Sequence, residues 1–151
     1  MIVAKDSVAY FDLRKNFKTL MKKKIYHCEV SGDFLFSGSL NNYMEAFGPE
    51  AKKMRVVEED KSGSAELAEL EVQKLKFNSE TNRSLLEISL KTGLRHQIRV
   101  QLAHLGFPLI GDELYGGKTS TRLHLHAYQY QFHYAGKDYQ FQTDAPVFPI
   151  T

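Results

Sequence analysis

The sequence has few residues of three types: one cysteine, no tryptophan and four prolines among 151 residues. The single cysteine, Cys28, cannot form a disulfide within the chain, so nothing in the sequence indicates a disulfide-stabilised secreted domain. The chain also lacks a signal-peptide pattern and any apolar run of about 18 residues, the length that a membrane-spanning helix needs. We therefore expect a cytoplasmic protein that makes no contact with a membrane.

Charge of neither sign dominates, because the net charge is only +2, but the charges are segregated along the chain. Six lysines and arginines lie between Arg14 and Lys24 with no acid among them, whereas residues 58–71 are mainly acidic. The basic segment is suited to contact phosphates, although a solvated helix face explains it equally well. A hydrophobic content of 42% supplies one core, and we expect one domain over residues 1–151.

Periodicity in the first half of the chain predicts strands separated by one helix. The helix begins at Asp6 or Ser7, either of which suits an N-cap, and ends near Met21. Residues 34–49, rich in Gly, Ser and Asn, indicate an irregular excursion, and residues 65–77 fit a helix or a strand. Strands are predicted at residues 2–4, 25–30 and around 54–58.

The second half of the chain predicts a strand, a helix and a hairpin. Residues 84–90 alternate between apolar and polar side chains, as a half-buried strand does. Apolar residues at helical spacing favour a helix over residues 95–105, which Gly106 ends. Aromatic-rich runs at residues 123–132 and 137–141 flank Ala135 and Gly136, and this pattern is typical of a hairpin.

Three potentially cationic side chains gather at the start of the helix predicted over residues 95–105. Arg95 and Arg99 are spaced i, i+4, and His96 is spaced i, i+3 from Arg99. The helix N-terminus adds unpaired N–H groups and a partial positive charge. The pattern predicts an anion there, either an RNA phosphate or a carboxylate of the protein itself, unless these arginines are ordinary surface residues.

The same stretch carries two motifs of a known family. Residues 92–99 read Thr-Gly-Leu-Arg-His-Gln-Ile-Arg, and residues 106–116 read Gly-Phe-Pro-Leu-Ile-Gly-Asp-Glu-Leu-Tyr-Gly. Both halves resemble the corresponding motifs of RluA-type RNA pseudouridine synthases. The sequence departs from the family pattern at Leu94, where an arginine is usual, while Arg95 fills the neighbouring variable position. The resemblance implies that Arg99 pairs with the catalytic aspartate.

Two shorter matches stand on either side of these motifs. Lys24-Ile25-Tyr26 resembles the family's Lys-x-Tyr motif, whose tyrosine lies against the target base, and residues 123–127 resemble its Leu-x-Leu-His-Ala strand, which lines the cleft. His124 and His126 fall on one face of that strand, which makes a metal site an alternative, but no cysteine or paired carboxylate completes a ligand set. The resemblance implies catalytic roles for Tyr26 and Arg99, and substrate contacts at Lys24, Arg95, His96, Gln97, Leu125 and His126.

The catalytic segment of the family, His-Arg-Leu-Asp-x-x-Thr-Ser-Gly, is not found in this sequence. In the family it leads into a strand that resembles residues 1–5, so we expect the chain to be an N-terminally truncated catalytic domain whose Arg99 has its carboxylate partner outside the chain. None of the aspartates is nominated as a substitute, and Asp112 is expected to organise a turn by accepting backbone N–H bonds. We expect no catalysis by this chain alone; the alternative is a non-catalytic RNA-binding protein.

The resemblance implies an α/β (α+β) domain, built on a mixed, largely antiparallel sheet with packed helices. It implies a substrate uridine in structured RNA, in particular ribosomal RNA, that is flipped out of its stack, with no metal, nucleotide or redox cofactor. A sheet without its N-terminal strands would expose its edges, so self-association is expected there.

Overall fold

The computed structural model describes residues 4–60 and 63–148, and in these residues it contains two α-helices and seven strands. Neither helix is long and apolar enough to cross a membrane within these described ranges. Two short 3₁₀ turns, Pro49–Ala51 and Glu113–Tyr115, complete the regular structure. The elements are α1 (Ser7–Leu20), β1 (Met21–Ser31), β2 (Gly38–Phe47), β3 (Lys53–Val57), β4 (Glu66–Asn78), β5 (Arg83–Leu90), α2 (Gln97–His104), β6 (Leu125–Tyr134) and β7 (Lys137–Gln142).

The strands form one sheet in the order β3-β2-β4-β5-β1-β6-β7. The α+β class with a largely antiparallel sheet is confirmed, and every pairing of named strands among the described residues is antiparallel. Antiparallel neighbours need no long crossover connection of the kind that a parallel pair requires. The edges of the sheet are β3 and β7, and self-association through them stays a prediction.

The sheet has one face on which α2 packs, and we call it the helix face. Along β1 the residues Cys28 and Val30 point to this face together with Tyr26, because side chains alternate along a strand. They join Leu86 and Ile88 of β5 and the buried residues of β4 in one apolar cluster. From α2 this cluster receives Ile98 and Leu102, which pack the helix onto this face.

Two segments that the sequence left irregular or ambiguous are strands. β2 covers most of residues 34–49, so the predicted excursion was wrong; its Leu40 and Met44 are buried, and Asn42 accepts a hydrogen bond from the buried Gln101 amide. β4 resolves the ambiguity at residues 65–77 in favour of a strand, with Ala68 and Leu70 buried at alternate positions. Pairing on both sides satisfies the backbone of β2, and this tertiary effect outweighs its weak strand propensity.

The first helix is confirmed, but its apolar residues do not form a core face. Asp6 caps α1 by accepting a 2.8 Å hydrogen bond from the backbone N–H of Ala9, as the sequence predicted. Val8 and Phe11 are nevertheless 78% and 63% exposed. The strand predicted at residues 2–4 lies mostly outside the described residues, which begin at residue 4.

Candidate active site

Arg99 and Asp112 form the ion pair at the centre of the candidate site. The guanidinium donates from Nε and Nη2 to the two carboxylate oxygens at 2.8 and 2.7 Å, a bidentate geometry. The Asp112 side chain is 0% exposed and that of Arg99 is 18% exposed. The hydrogen bonds to Asp112 outweigh the desolvation of the guanidinium and raise the pKa of Arg99 above its ordinary value. The guanidinium of Arg99 therefore stays charged.

This pairing corrects two expectations from the sequence. The carboxylate that Arg99 holds belongs to Asp112 of the same chain, so the expectation that its partner lies outside the chain was wrong. The Asp112 side chain also does not organise the turn through backbone N–H bonds; its backbone carbonyl does so, by accepting from Tyr115 and Gly117 at 3.2 and 2.8 Å. The spacing of Arg99 and Asp112 gives no sign of the contact, because it depends on the path of the chain after α2, where Gly106 and Gly111 have positive φ.

Two glycines let the chain approach closely around Asp112. Gly111 has φ +78°, and a Cβ at this position would lie 2.0 Å from the carbonyl oxygen of Arg122. A Cβ at Gly117 would lie 1.9 Å from the carbonyl oxygen of Leu109. Only glycine fits such contacts, so the glycines of this segment serve the placement of Asp112.

Tyr115 supports the ion pair from the side. Its ring lies 5.0 Å from the guanidinium carbon of Arg99, a cation–π contact. Its hydroxyl bonds to Nδ1 of His96 at 2.8 Å and accepts from the backbone N–H of Met54 at 3.0 Å. Desolvation, together with the neighbouring Arg99 and Arg95, lowers the pKa of His96, so its imidazole is neutral at neutral pH. His96 is thus a partner of Tyr115 rather than a third cation.

The three cationic side chains expected at the start of α2 do not converge. The helix begins at Gln97, and His96 before it adopts a left-handed conformation with φ 56°. That turn sends Arg95 outward, where its guanidinium donates to the backbone carbonyls of Ala51 and Lys53 at the start of β3. The neighbouring Leu94, at the position where the sequence departs from the family motif, packs against a second apolar cluster. This cluster is formed by Met44, Met54, Ala68 and Val100.

The loop before α2 is held by the polar residues of its motif. Gln97 is buried, and its amide oxygen accepts from the hydroxyl of Thr92 at 2.9 Å and from the backbone N–H of Leu94 at 3.0 Å. Its amide nitrogen donates to the backbone carbonyl of Glu69 on β4 at 3.1 Å. The structure therefore places Gln97 inside the protein, where it holds the loop against β4.

Lys24 ties the same loop to β1. Its ammonium donates to the backbone carbonyl of Thr92 at 2.7 Å. A Cβ on Gly93 would lie 3.2 Å from the lysine nitrogen, so the glycine leaves space for this close approach. The Lys-x-Tyr and Thr-Gly motifs are in this way joined in space.

Tyr26 lies on the helix face, two residues along β1 from Lys24. Its ring packs against the cluster that contains Ile98 of α2, and its hydroxyl bonds to that of Tyr130 on β6. The two rings meet edge to face, with centroids 5.9 Å apart. Burial and then the bond to Tyr130 raise the pKa of Tyr26 far above its ordinary value, so this phenol stays protonated.

Leu125 and His126 fall on opposite faces of the sheet. Leu125 pairs in register with Cys28 and packs against the helix-face cluster beside Tyr26. His126 pairs with His27, which alternates with Tyr26 and Cys28, and it bonds to Thr143 at 2.7 Å. The expectation that His126 contacts the substrate in the same cleft as Tyr26 was therefore wrong, because the period-two alternation of β6 turns it away.

His124 is buried just before β6 and has its own partners. Its Nδ1 bonds to Glu29 and its Nε2 to Ser120, both at 2.9 Å, and its ring stacks on Phe148. Desolvation lowers the pKa of His124 more than the bond to Glu29 raises it. Within residues 4–60 and 63–148, no group of three His, Cys, Asp or Glu residues is arranged to hold a metal ion.

Sequence reasoning missed three residues of this site. Asp112 was assigned only a turn, although the cationic cluster before α2 predicted a protein carboxylate as one possible anion. Tyr115 belonged to a quoted motif but received no role, and Tyr130 lies one strand away from Tyr26 with no local signal. Their contacts cross 13, 19 and 104 residues of sequence, which explains why short-range patterns do not find them.

Comparison with known proteins places this geometry in a family. Residues 1–104 match the model of the RNA pseudouridylate synthase family. The chain is 32% identical over 118 residues to ribosomal large subunit pseudouridine synthase D of Pseudomonas aeruginosa, covering 78% of this chain and 35% of that protein. It is 32% identical over 130 residues to an uncharacterized RNA pseudouridine synthase of Bacillus subtilis, covering 84% of this chain and 41% of that protein.

Solved structures show the same fold. Human RNA pseudouridylate synthase domain containing 1 superposes with a TM-score of 0.81 at 21% identity, over 97% of this chain and 64% of that one. The chain spans well under half of the length of the two bacterial relatives. The family model, which covers residues 1–104, shows that this chain belongs to the RluA-type RNA pseudouridine synthases.

Proposed function

We propose that the helix face around Tyr26, Leu125 and Arg99 is the uridine-binding part of an RNA pseudouridine synthase, an isomerase that converts uridine to pseudouridine in structured RNA. The relatives named for the ribosomal large subunit support ribosomal RNA as the substrate. We propose the cytoplasm as the place of action. The observation that carries the proposal is the convergence of separate motifs on one face. Tyr26 and Leu125 pack against the cluster that also holds Ile98, the neighbour of Arg99 on α2.

The roles follow from the chemistry of each group. A base that has left its stack needs an aromatic partner and a dry wall, which Tyr26 and Leu125 provide. The phenol of Tyr26 stays protonated at any physiological pH, and its bond to Tyr130 holds the ring in one orientation beside the incoming uracil. Arg99, which follows Ile98 on α2, supplies a positive charge that Asp112 holds in place. Lys24, His96 and Gln97 position the loop and the helix start around it, through Thr92, Tyr115 and Glu69 respectively.

We further propose that a polypeptide with this sequence binds RNA without isomerising uridine. Both carboxylate oxygens of Asp112 are bonded to Arg99 and the side chain is 0% exposed, so this acid does not reach a sugar carbon. Because the guanidinium already has a carboxylate partner within the chain, a non-catalytic RNA-binding role is the second candidate function. The two candidate functions differ in whether pseudouridine forms when a catalytic carboxylate is supplied from outside residues 1–151.

RNA binding by matched variants tests the uridine-binding face. Stacking of a base on an aromatic ring is worth about 1–3 kcal/mol, so Tyr26→Ala should weaken the binding of a uridine-containing stem-loop by about 5-fold to 150-fold. Tyr43→Ala is the control, because Tyr43 alternates with the buried Met44 and is 41% exposed on the other face. Equal affinity of the two variants contradicts the proposal.

The catalytic part is tested by carbodiimide primer extension on ribosomal RNA incubated with the purified protein. We expect no pseudouridine-dependent stop above the background of untreated RNA. A new stop at a uridine would contradict the proposed inactivity, and would show that a group in this chain acts as the catalytic acid.

A further inference from the structure

A groove lined by lysines opens at the start of β1, beside the uridine-binding face. It has a volume of about 370 Å³, within the range of about 300–1,000 Å³ that is usual for ligand sites. Four lysines line it: Lys22, Lys23 and Lys24 from β1, and Lys91 from the end of β5. We call it the lysine groove.

The lining of the lysine groove is basic. No acidic residue is among the described residues that line it. Glu71 pairs with Lys91 at 3.2 Å, but both side chains are about half exposed, where an ion pair is weak. A lining that carries one sign of charge attracts an anion.

The rest of the lining favours a nucleotide chain over a bare phosphate. Met21 and Leu90 give the groove an apolar wall, which suits a ribose or the edge of a base, and Ser89 and Gln131 offer hydrogen-bonding groups. Contacts with phosphate and sugar of this kind position a protein on a nucleic acid without reading its sequence.

The lysine groove opens at the start of β1, where the helix face and the opposite face of the sheet meet. Lys24 is on the helix face with Tyr26, whereas Lys23 and Ser89 pair in register with Gln131 and Ile25 and lie on the opposite face. Lys22 is four residues from Tyr26, which corresponds to about 13 Å along a strand. At about 3.4 Å of stacked rise per nucleotide, that span is a few nucleotides of one RNA strand.

We propose that the lysine groove binds the sugar-phosphate backbone of the RNA strand that flanks the uridine held at Tyr26. This inference rests on the proposed function and adds to it the path of the strand. RNA then crosses the start of β1 before its target base turns onto the helix face.

The test compares two triple variants with the same change in charge. Lys22→Gln with Lys23→Gln and Lys91→Gln removes groove lysines, and Lys53→Gln with Lys76→Gln and Lys137→Gln removes exposed lysines from elsewhere. Circular dichroism checks that each variant is folded. Fluorescence anisotropy with a single-stranded, uridine-containing RNA is then measured over a range of salt concentrations.

The groove variant should bind RNA about tenfold or more weakly. Its slope of log affinity against log salt should flatten by about 2, since each phosphate that a lysine neutralises on a single strand adds about 0.7 to the slope. The control variant should keep the wild-type slope. Equal weakening in both variants overturns the proposal, because net charge alone then explains binding. Uridine monophosphate binding as tightly as the RNA also overturns it, in favour of a free-nucleotide site.

Absence of RNA binding by the wild-type protein contradicts the proposed function. A second probe tests separately whether the lysine groove binds phosphate. Inorganic tripolyphosphate is titrated while the lysine side-chain signals are followed by NMR. Shifts confined to Lys22, Lys23, Lys24 and Lys91 support the groove as a polyphosphate site, and no shift at these residues overturns it.

Discussion

Asp112 is held by Arg99 through two parallel hydrogen bonds of 2.8 and 2.7 Å, and this pair links α2 to the loop that returns toward β1. The carboxylate is buried, so neutralising it leaves the guanidinium without its compensating charge. Removing one partner of a buried pair destabilises a protein by about 3–5 kcal/mol. We place Asp112→Asn near the lower end, about 3 kcal/mol, because Arg99 is partly exposed.

Urea denaturation of Asp112→Asn measures this destabilisation. Asp138→Asn is the matched control, since Asp138 also pairs with a basic residue, His133, but its side chain is 87% exposed. The control should change the free energy of unfolding by less than about 0.5 kcal/mol. A similarly small change in both variants would show that the Arg99–Asp112 pair does not stabilise the fold.

Gly111 and Gly116 separate the effect of a close contact from that of backbone conformation. Both have positive φ, +78° and +85°, but an added Cβ meets the Arg122 carbonyl oxygen at 2.0 Å only at Gly111. Gly116→Ala should destabilise by about 1–2 kcal/mol, the strain of a left-handed residue. Gly111→Ala should destabilise clearly more, by about 3 kcal/mol or above, because backbone must also shift. Equal changes in the melting temperature would contradict the contact.

Burial of His124 predicts lower stability in mild acid. Desolvation lowers the pKa of His124 in the folded protein, so below about pH 6.5 the unfolded chain binds more protons than the folded one. The free energy of unfolding therefore decreases as the pH is lowered. His96 adds a change of the same sign. His124→Gln should therefore make stability less dependent on pH between about 7.5 and about 5.5.

Denaturation curves at these two pH values measure the effect, with His104→Gln, at an exposed position on α2, as the control. The control should retain the wild-type difference between the two pH values. An unchanged difference in His124→Gln would mean that His124 takes up its proton without any cost in stability.

The sequence predicted those helices and strands that can be recognised from neighbouring residues alone. The N-cap of α1 and the alternation of β5 needed no distant partner, and both are confirmed. β2 was missed because its Gly, Ser and Asn residues are typical of loops, while the pairing with β3 and β4 that makes it a strand is long-range. The start of α2 was misplaced because His96 adopts a left-handed turn that spacing cannot reveal.

The site was predicted in part for the same reason. Tyr26 and Leu125 lie together on the helix face, as the resemblance implied. The assignment of Asp112 failed because its partner depends on the path of the chain at Gly111. The assignment of His126 failed because the motif does not indicate on which face of β6 this side chain lies. Contacts between distant segments decide both.

The central claim, that a uridine is held against Tyr26 on the helix face, is tested most directly by photocrosslinking. RNA that carries 5-iodouridine at a single position is irradiated in complex with the protein, and the crosslinked peptide is identified by mass spectrometry. We predict a crosslink at Tyr26, which disappears in Tyr26→Ala. A crosslink confined to the opposite face, at Tyr128 or His126, or one that persists unchanged in Tyr26→Ala, would contradict the claim.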